Sequence, residues 1–499
     1  MKAATSPQSL RRAAPWLLVA AAVAYTSVLR LRLIAAGPDA DVDAYDHFHI
    51  GMRLASERTD ITVHWVWLPL WHFVDAAVFA LGGGIRHVRL LAVALTAASA
   101  FALTELLRRH LAARPTAAPW LAEAERVVPF AAGVAFALWP LNLRGGASAE
   151  PEALFQLLLL AAALAWQAER SVATSVALSL AAMLRYEAWP AVAAFGGLWL
   201  AERRTARASL AWAMPAVLVA VWCVAHRLAT GQWLRFLADN RAYVELAWRE
   251  FHFDTRDLPR LHQPALWYAV KLPIVALREW AVWLAPGLVW IACRGPRALT
   301  APSLALLATV TVVWVTRRNL GLDRHFAALV PAYATMAAAG LVVTVAWAGA
   351  RVDRKVARVA LGAAMALACV GFVRWRVHAA ERSYRRHQGA FVADQAAAEV
   401  LRREATSDAT VFTTRVPLRV MARLPLERYV GWRPADLRDF NLLVESAHHG
   451  EAWVAAPPAE VTALRDGVEV RYRSEGLVLL RRRAPREVDP GLLTARPCR

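Results

Sequence analysis

The chain has 499 residues, of which 58% are hydrophobic and 19% are charged, and its formal net charge is +19. Soluble globular proteins are about 45–50% apolar, whereas the apolar residues here occur in blocks of about 15–25, a length that crosses a bilayer. The composition therefore excludes an ordinary soluble protein. The basic residues cluster in short loops between the apolar blocks, which favours membrane lipids over nucleic acid as partners of this charge.

The first apolar block, about residues 13–33, follows a basic N-terminal segment and ends near Arg30 and Arg32. It is long and has no small-residue cleavage site, so we interpret it as an uncleaved first membrane span. The basic N-terminus is expected to stay in the cytoplasm, which places the loop at about residues 34–87 on the outer side of the membrane.

Further apolar blocks predict ten more crossings. Residues 65–82 are interrupted by Pro69 and Asp75, so we expect an interfacial helix there rather than a span. Residues 226–272 mix aromatic and charged side chains at helical spacing, which predicts an amphipathic helix on the membrane surface. The ten spans are predicted at about residues 88–107, 127–143, 153–168, 172–201 (two crossings, with Arg185, Tyr186 and Glu187 at the outer tip), 208–225, 275–293, 303–316, 326–348 and 357–373.

The chain after residue 373 is much more polar. It has a helix-like stretch at about residues 390–405 and strand-like runs at Thr410–Thr413, Val468–Tyr472 and Leu477–Leu480. Eleven crossings place this tail outside. The predicted fold is therefore a polytopic α-helical membrane protein with about 11 transmembrane helices in residues 1–373, a large first extracytoplasmic loop, and a small extracytoplasmic α/β domain in residues 374–499.

The first outer loop carries three carboxylates, Asp41, Asp43 and Asp46, within six positions, with His47 and His49 beside them. Acidic groups next to a membrane span are costly to desolvate unless they have a partner or a task. A carboxylate can act as a general base toward an acceptor hydroxyl. Displacement at an anomeric carbon requires such a base opposite the leaving group.

The predicted topology collects further polar residues on the same outer face: Glu150, Glu152, Arg185, Glu187, Arg317, Arg318, Asp323, Arg324 and His325. Arginine holds phosphate well because its planar guanidinium presents paired donors. A phosphate leaving group needs charge neutralisation rather than protonation. Carboxylates and arginines on one membrane face therefore indicate a substrate with a charged headgroup and a lipid tail.

The order of these features resembles the membrane glycosyltransferases of the C-type fold, which include protein O-mannosyltransferases and lipid A aminoarabinose transferases. Their first outer loop has a pattern like D-E-x-x-Y-x-x-I-x-x-x-L, and residues 43–54 read DAYDHFHIGMRL. Asp43, Ile50 and Leu54 match in register, whereas Ala44 replaces the second acid and His47 replaces the tyrosine.

Four later elements continue the resemblance, which covers roughly residues 13–345. They are His64 with Leu68-Pro69-Leu70, resembling a His-Pro-Pro-Leu element; Glu150 and Glu152 before the fourth span; the Arg185-Tyr186-Glu187 turn; and Arg324-His325 followed by Pro331.

The resemblance implies an enzyme of the bacterial inner membrane that transfers a sugar from a polyprenyl-phosphate donor, with inversion, to a glycan, lipid or protein acceptor on the extracytoplasmic face. It implies Asp43 as the general base. Arg324, Arg185 and His325 would hold the lipid phosphate, and His47, His64, Glu150 and Glu187 would belong to the substrate site.

Several alternatives stay open at the level of sequence. Because Ala44 replaces the second acid, Asp41 or Asp46 is an alternative base, and any of the three can instead cap the following helix. Arg185 and Glu187 can simply pair with each other. No metal site is assigned, although a divalent metal on the aspartates and histidines is an alternative. A transporter or flippase of a lipid-linked anion is the main alternative function, and a catalytically inactive scaffold is another.

Overall fold

The structure is a computed structural model that describes residues 7–250, 264–351, 354–406, 409–413, 415–430, 451–456, 468–475 and 477–482. Helices dominate the described chain. The continuation of the predicted outer-loop helix beyond residue 250 and the tail after residue 482 lie outside the described residues.

The α-helices are α1 (Pro7–Ala36), α2 (Val42–Ser56), α3 (Pro69–Ala80), α4 (Ile85–Ala112), α5 (Pro119–Ala137), α6 (Pro140–Gly145), α7 (Glu152–Gln167), α8 (Ser171–Ala182), α9 (Ala188–Ala201), α10 (Leu210–Thr230), α11 (Arg235–Glu250), α12 (Leu272–Leu277), α13 (Leu284–Arg294), α14 (Arg297–Val315), α15 (Val330–Gly349), α16 (Arg354–Phe372), α17 (His378–Gly389), α18 (Val392–Glu404) and α19 (Val416–Ala422).

The chain is a multi-pass membrane protein, as its composition predicts. Within the described residues, seven helical segments are long and apolar enough to cross a membrane, and three shorter apolar helices, α7, α8 and α9, accompany them. The seven are Ala13–Ala36, Ile85–Ala112, Ala206–Thr230, Pro264–Arg294, Arg297–Val315, Asp323–Gly349 and Val359–Gly389.

Some predicted boundaries differ from the observed ones. The third predicted span, residues 127–143, is interrupted because Pro140 begins a separate short helix, and α5 instead starts at Pro119, where a proline suits the first helical turn. The first helix continues past residue 33 to Ala36, so Arg30 lies inside it rather than at its end. The last predicted span does not end at residue 373, because helical structure continues to Gly389.

The described chain divides into two compact units. One contains residues 1–35, 58–74 and 86–383, and the other contains residues 36–57, 75–85 and 384–499. We call them the helical unit and the mixed unit. The mixed unit therefore includes both α2, which carries the first-loop aspartates, and the C-terminal sheet.

Two glycines explain the tight packing within the helical unit. A Cβ atom at Gly287 in α13 would lie 1.8 Å from the carbonyl oxygen of Met336 in α15, and one at Gly340 in α15 would lie 1.9 Å from the carbonyl oxygen of Trp283. Small residues at such positions let helix backbones approach closely, which is how membrane helices gain packing contacts. Here only glycine fits.

The mixed unit contains a five-stranded sheet of order β2-β1-β3-β5-β4, where the strands are β1 (Thr410–Phe412), β2 (Tyr429–Val430), β3 (Ala452–Ala456), β4 (Val468–Arg473) and β5 (Val478–Arg482). Strand β1 pairs in parallel with β2 and β3, whereas β5 pairs antiparallel with β3 and β4. Helices α18 and α19 cover an apolar core that includes Leu401, Leu418 and Trp453. The helix and three strands predicted from sequence are confirmed, and β2 and β3 were missed.

Replacing Gly340 by alanine should lower the thermal unfolding temperature of the protein in detergent, because the new methyl group would overlap a backbone carbonyl. Overpacking of this kind costs about 1–3 kcal/mol. Gly197→Ala in α9 is the matched control, since a Cβ atom there meets nothing within 4 Å. Unfolding can be followed by tryptophan fluorescence. An unfolding temperature for Gly340→Ala equal to or above that of the control would contradict the close approach.

Candidate functional site

A compact ionic cluster in the helical unit begins at the turn between α8 and α9. The Arg185 guanidinium donates to both carboxylate oxygens of Glu187, with Nε at 3.2 Å from Oε2 and Nη2 at 2.9 Å from Oε1. Its Nη1 donates to Glu152 at the start of α7. This two-point pairing is the geometry in which a guanidinium and a carboxylate interact most strongly. The ion pair therefore fixes the turn that reverses the chain within an apolar stretch.

The 3₁₀ helix Asp323–Leu329 brings two further predicted residues to the cluster. His325 Nδ1 lies 2.9 Å from Glu187 Oε1, and Arg324 Nη1 lies 3.4 Å from Glu150 Oε1. The structure thus joins the predicted residues Glu150, Glu152, Arg185, Glu187, Arg324 and His325, which come from three separate stretches of the sequence. The cluster contains three carboxylates, two guanidinium groups and one imidazole.

Buried groups around Glu187 control its ionisation. Burial alone would raise the pKa of Glu187, but the Arg185 guanidinium and the His325 ring hold that pKa well below its usual range. The carboxylate therefore stays ionised at physiological pH. An ionised Glu187 keeps Arg185 in place. It also favours a proton on Nδ1 of His325, the ring nitrogen that faces the Glu187 carboxylate.

The segment that carries Glu150 is held through its backbone carbonyls. Arg30 donates to the carbonyl of Asn142 at 3.2 Å, Arg89 to that of Ala147 at 2.8 Å, and the Trp71 indole to that of Ala149 at 3.0 Å. Arg30 and Arg89 are both buried within apolar helices. They were not among the predicted site residues, although an arginine inside an apolar segment is itself a signal of a structural or functional task.

The first-loop aspartates lie in the mixed unit at the start of α2. Asp41 is the N-cap of α2, and its side chain accepts the N–H of Asp43 at 3.2 Å. Asp43 is buried, and Asp46 lies one helical turn after it. Burial, with further contributions from the charges of Asp43 and Asp41, raises the pKa of Asp46 to about 7. Asp46 therefore changes its charge near neutral pH.

The predicted histidines have different surroundings. His47 is buried on α2. Burial, aided by the charges of Arg419 and Arg53, lowers the pKa of the neighbouring His49 to about 4. In the helical unit, His64 stacks on His72 with their Nδ1 atoms 2.8 Å apart and their rings 8° from parallel. Burial, with a contribution from His226, lowers the pKa of His64 to about 4, so the His64 ring is neutral at physiological pH.

Possible metal ligands do not converge in the part of the chain that the structure describes. Within those residues, no group of three or more His, Cys, Asp or Glu side chains is arranged to hold a metal ion. Of the aspartates in the first outer loop, Asp41 caps the N-terminus of α2 and Asp43 lies in its first turn.

The chain is similar in structure to ArnT from Cupriavidus metallidurans over most of its length. No protein-family model and no curated protein matches the sequence. The apo structure of ArnT superposes with a TM-score of 0.60 at 15% identity, covering 94% of this chain and 98% of ArnT. The structure of ArnT bound to undecaprenyl phosphate gives a TM-score of 0.59 at 14% identity, covering 96% and 99%. This end-to-end likeness establishes the fold and confirms the C-type membrane fold that the sequence motifs implied.

Glu187→Gln should destabilise the helical unit, because it removes the charge that pairs with a buried arginine. Hydrogen bonds to charged groups contribute about 1.5–3 kcal/mol each, and we expect a loss of that order in thermal unfolding at neutral pH. The pKa of Glu187 is depressed, so its stabilisation is complete above pH about 5 and is lost as the pH falls below its ordinary value of about 4.3. The difference between variant and wild type should shrink accordingly in acid.

Glu57→Gln is the matched control for that substitution. Glu57 pairs with Arg53 at 3.2 Å, but both side chains are exposed, and exposed pairs contribute little. Unfolding of the two variants can be compared in the same detergent between pH 2 and pH 8, because the contribution of Glu187 is lost as the pH falls from about 4.3 through its depressed pKa in the folded protein. Equal unfolding temperatures for Glu187→Gln and wild type at neutral pH would mean that the ionic cluster does not hold the α8–α9 turn.

Proposed function

We propose that this protein is a membrane glycosyltransferase that transfers a sugar from a polyprenyl-phosphate donor to an acceptor on the extracytoplasmic face of the bacterial inner membrane. The observation that carries the proposal is the end-to-end fold likeness to ArnT, one of whose structures holds undecaprenyl phosphate. The ionic cluster of the helical unit supplies the chemistry that such a donor requires.

Arg324 is the principal phosphate ligand in this proposal. Its side chain is more exposed than that of Arg185, at 23% against 13%. Its contact with Glu150 is 3.4 Å, longer than the bonds from Arg185 to Glu187. A long contact at a partly exposed group is exchanged for a phosphate oxygen at lower cost than a buried two-point pair. Arg185 and His325, which belong to the same cluster as Arg324, then stabilise the charge of the phosphate.

An apolar groove along α9 is suited to the polyprenyl chain. It encloses about 490 Å³ and begins at Trp189, two residues after Glu187, and continues along the helix past Gly196 and Gly197 to Leu200. At 1.5 Å rise per residue, the lined stretch of α9 is roughly 16 Å long. A lipid whose phosphate lies at the ionic cluster would therefore find an apolar path for its first isoprene units within the same unit.

Asp43 is the proposed general base. It is buried, it lies in the first turn of α2, and the Asp41 cap fixes the backbone at that position. The base takes the proton of the acceptor hydroxyl while the acceptor oxygen attacks the anomeric carbon and the lipid phosphate leaves. A single displacement of this kind inverts the anomeric configuration.

Asp46 tunes Asp43 rather than replacing it. With a pKa near 7, Asp46 is largely neutral at acid pH and gains its charge as the pH rises through neutrality. A negative charge one helical turn after Asp43 makes the electrostatic potential at the catalytic position more negative, which favours a transition state with positive charge developing at the anomeric carbon. Asp46 therefore supplies the second acidic position that Ala44 leaves empty.

Substitution by asparagine distinguishes the roles of Asp43 and Asp46. Asp43→Asn keeps the shape and removes the base, so sugar release should fall by about 10²–10⁴-fold. Asp46→Asn should remain active, but its kcat should not show the rise through pH 7 that we expect for the wild type from the ionisation of Asp46. The assay measures release of radiolabelled sugar from a panel of undecaprenyl-phosphate-linked hexoses and pentoses between pH 5.5 and 8.5. Full activity in Asp43→Asn would overturn the assignment of the base.

Substitution of Arg324 tests the proposed binding of the lipid phosphate. Arg324→Gln should weaken binding of undecaprenyl phosphate by about tenfold to a hundredfold, which corresponds to the loss of a charged hydrogen bond. Arg318→Gln is the control, because Arg318 is an exposed arginine six residues earlier. Binding can be measured by the shift in unfolding temperature with added lipid. Equal losses in both variants would indicate general attraction to anionic lipid and not a phosphate site.

A further inference from the structure

The C-terminal end of α17 contacts the loop that precedes the aspartate helix, within the mixed unit. Tyr384 Oη donates to the Asp39 carboxylate at 3.3 Å, and Gln388 Nε2 donates to the Pro38 carbonyl at 2.7 Å. The two side chains are one helical turn apart and both are buried. Two residues separated from this loop by about 350 positions in sequence therefore hold adjacent loop residues.

Asp39 is the centre of this contact, and the sequence did not distinguish it from an ordinary loop aspartate. Its side chain is fully buried. The same oxygen, Oδ1, accepts the N–H groups of Ala40 at 2.7 Å and Asp41 at 3.2 Å in addition to the Tyr384 hydroxyl. The Asp39 N–H donates to Tyr45 Oη at 2.7 Å, which ties the loop to α2.

These bonds lead directly to Asp43. Asp39 holds the N–H of Asp41, and Asp41 in turn accepts the N–H of Asp43 as the helix cap. The ring of Phe391, which follows α17, packs on the ring of Tyr45 with centroids 5.4 Å apart. The direction of the first turn of α2 therefore depends on the segment Tyr384–Phe391. In a catalytic site, a displacement of about 1 Å can reduce the rate by about 10²-fold.

We propose that Asp39, Tyr384 and Gln388 are positioning residues through which the C-terminal segment sets the Asp43 carboxylate for proton transfer. They act through the backbone of α2 and do not touch the reacting atoms. Asp39 acts through Oδ1 as a hydrogen-bond acceptor, a role that an asparagine oxygen can also fill. This inference rests on the proposed role of Asp43, but its structural content, the order of residues 39–43, is measurable without any substrate.

The test uses the full-length protein in detergent and three substitutions. Tyr384→Phe removes one hydroxyl, Asp39→Ala removes the acceptor, and Asp39→Asn keeps an acceptor oxygen without the charge. Tyr472→Phe, in strand β4 of the same unit, is the control. Hydrogen–deuterium exchange of the peptide covering residues 39–46 should be faster in Tyr384→Phe and Asp39→Ala, and close to wild type in Asp39→Asn and in the control.

Turnover of the best donor in the undecaprenyl-phosphate sugar panel provides the second readout. We expect kcat to fall about 10-fold in Tyr384→Phe and about 10²-fold in Asp39→Ala, with KM for the donor and the unfolding temperature of Tyr384→Phe unchanged. Asp39→Asn should retain kcat within about threefold of wild type, because the acceptor oxygen remains.

Three outcomes would overturn the inference. They are wild-type exchange in Tyr384→Phe, a raised KM with unchanged kcat, and an Asp39→Asn variant as inactive as Asp43→Asn, which would make Asp39 itself catalytic. Failure of the proposed function gives a different pattern, in which Asp43→Asn stays active while the exchange of residues 39–46 still responds to Tyr384→Phe.

Discussion

A charge in an apolar environment is stable only when it is paired, and this constraint organises the helical unit around Arg185. The side chain connects Glu152 at the start of α7 with Glu187 between α8 and α9, and His325 extends the same network to the 3₁₀ helix before α15. Removing one partner of a buried pair leaves an uncompensated charge, which is far more costly than the pair is favourable. The cluster therefore specifies which helix ends meet. This role does not depend on how much the ion pairs contribute to the free energy of unfolding.

The apolar blocks predicted the helices well, because a long apolar segment in a membrane must satisfy its backbone groups internally. The apolar blocks did not predict the places where the folded chain breaks or extends a helix beyond the apolar segment. The helix breaks at Pro140 although the sequence on both sides is apolar, and helical structure continues from α16 to Gly389 although the chain becomes polar after residue 373. The short strand β2 has only two residues and forms because β1 offers an edge, so it has no periodic signal of its own.

The candidate site was predictable to the extent that its residues are chemically unusual for their location. Carboxylates and arginines near membrane-span ends stand out, and five of them meet in the helical unit together with His325. Asp39 did not stand out, because an aspartate after Pro38 is typical of a turn and its importance comes from burial and from Tyr384, both properties of the folded chain. Arg30 and Arg89 were missed for a related reason, since their partners are backbone carbonyls that carry no sequence signature.

The charge balance of the ionic cluster bears on how a lipid phosphate would bind there. Three carboxylates face two guanidinium groups and one imidazole, so an entering phosphate adds negative charge to a cluster that has no excess of positive charge. Binding is favourable only if a guanidinium changes partner, and among the ion pairs of Arg185 and Arg324 with glutamates, the Arg324–Glu150 pair is the longest and its arginine is the more exposed. Exchange there transfers Arg324 to the phosphate and leaves the Glu150 carboxylate without that partner. On this argument the pairs of Arg185 stay intact when the donor binds, and the rearrangement is confined to one side chain at the edge of the cluster.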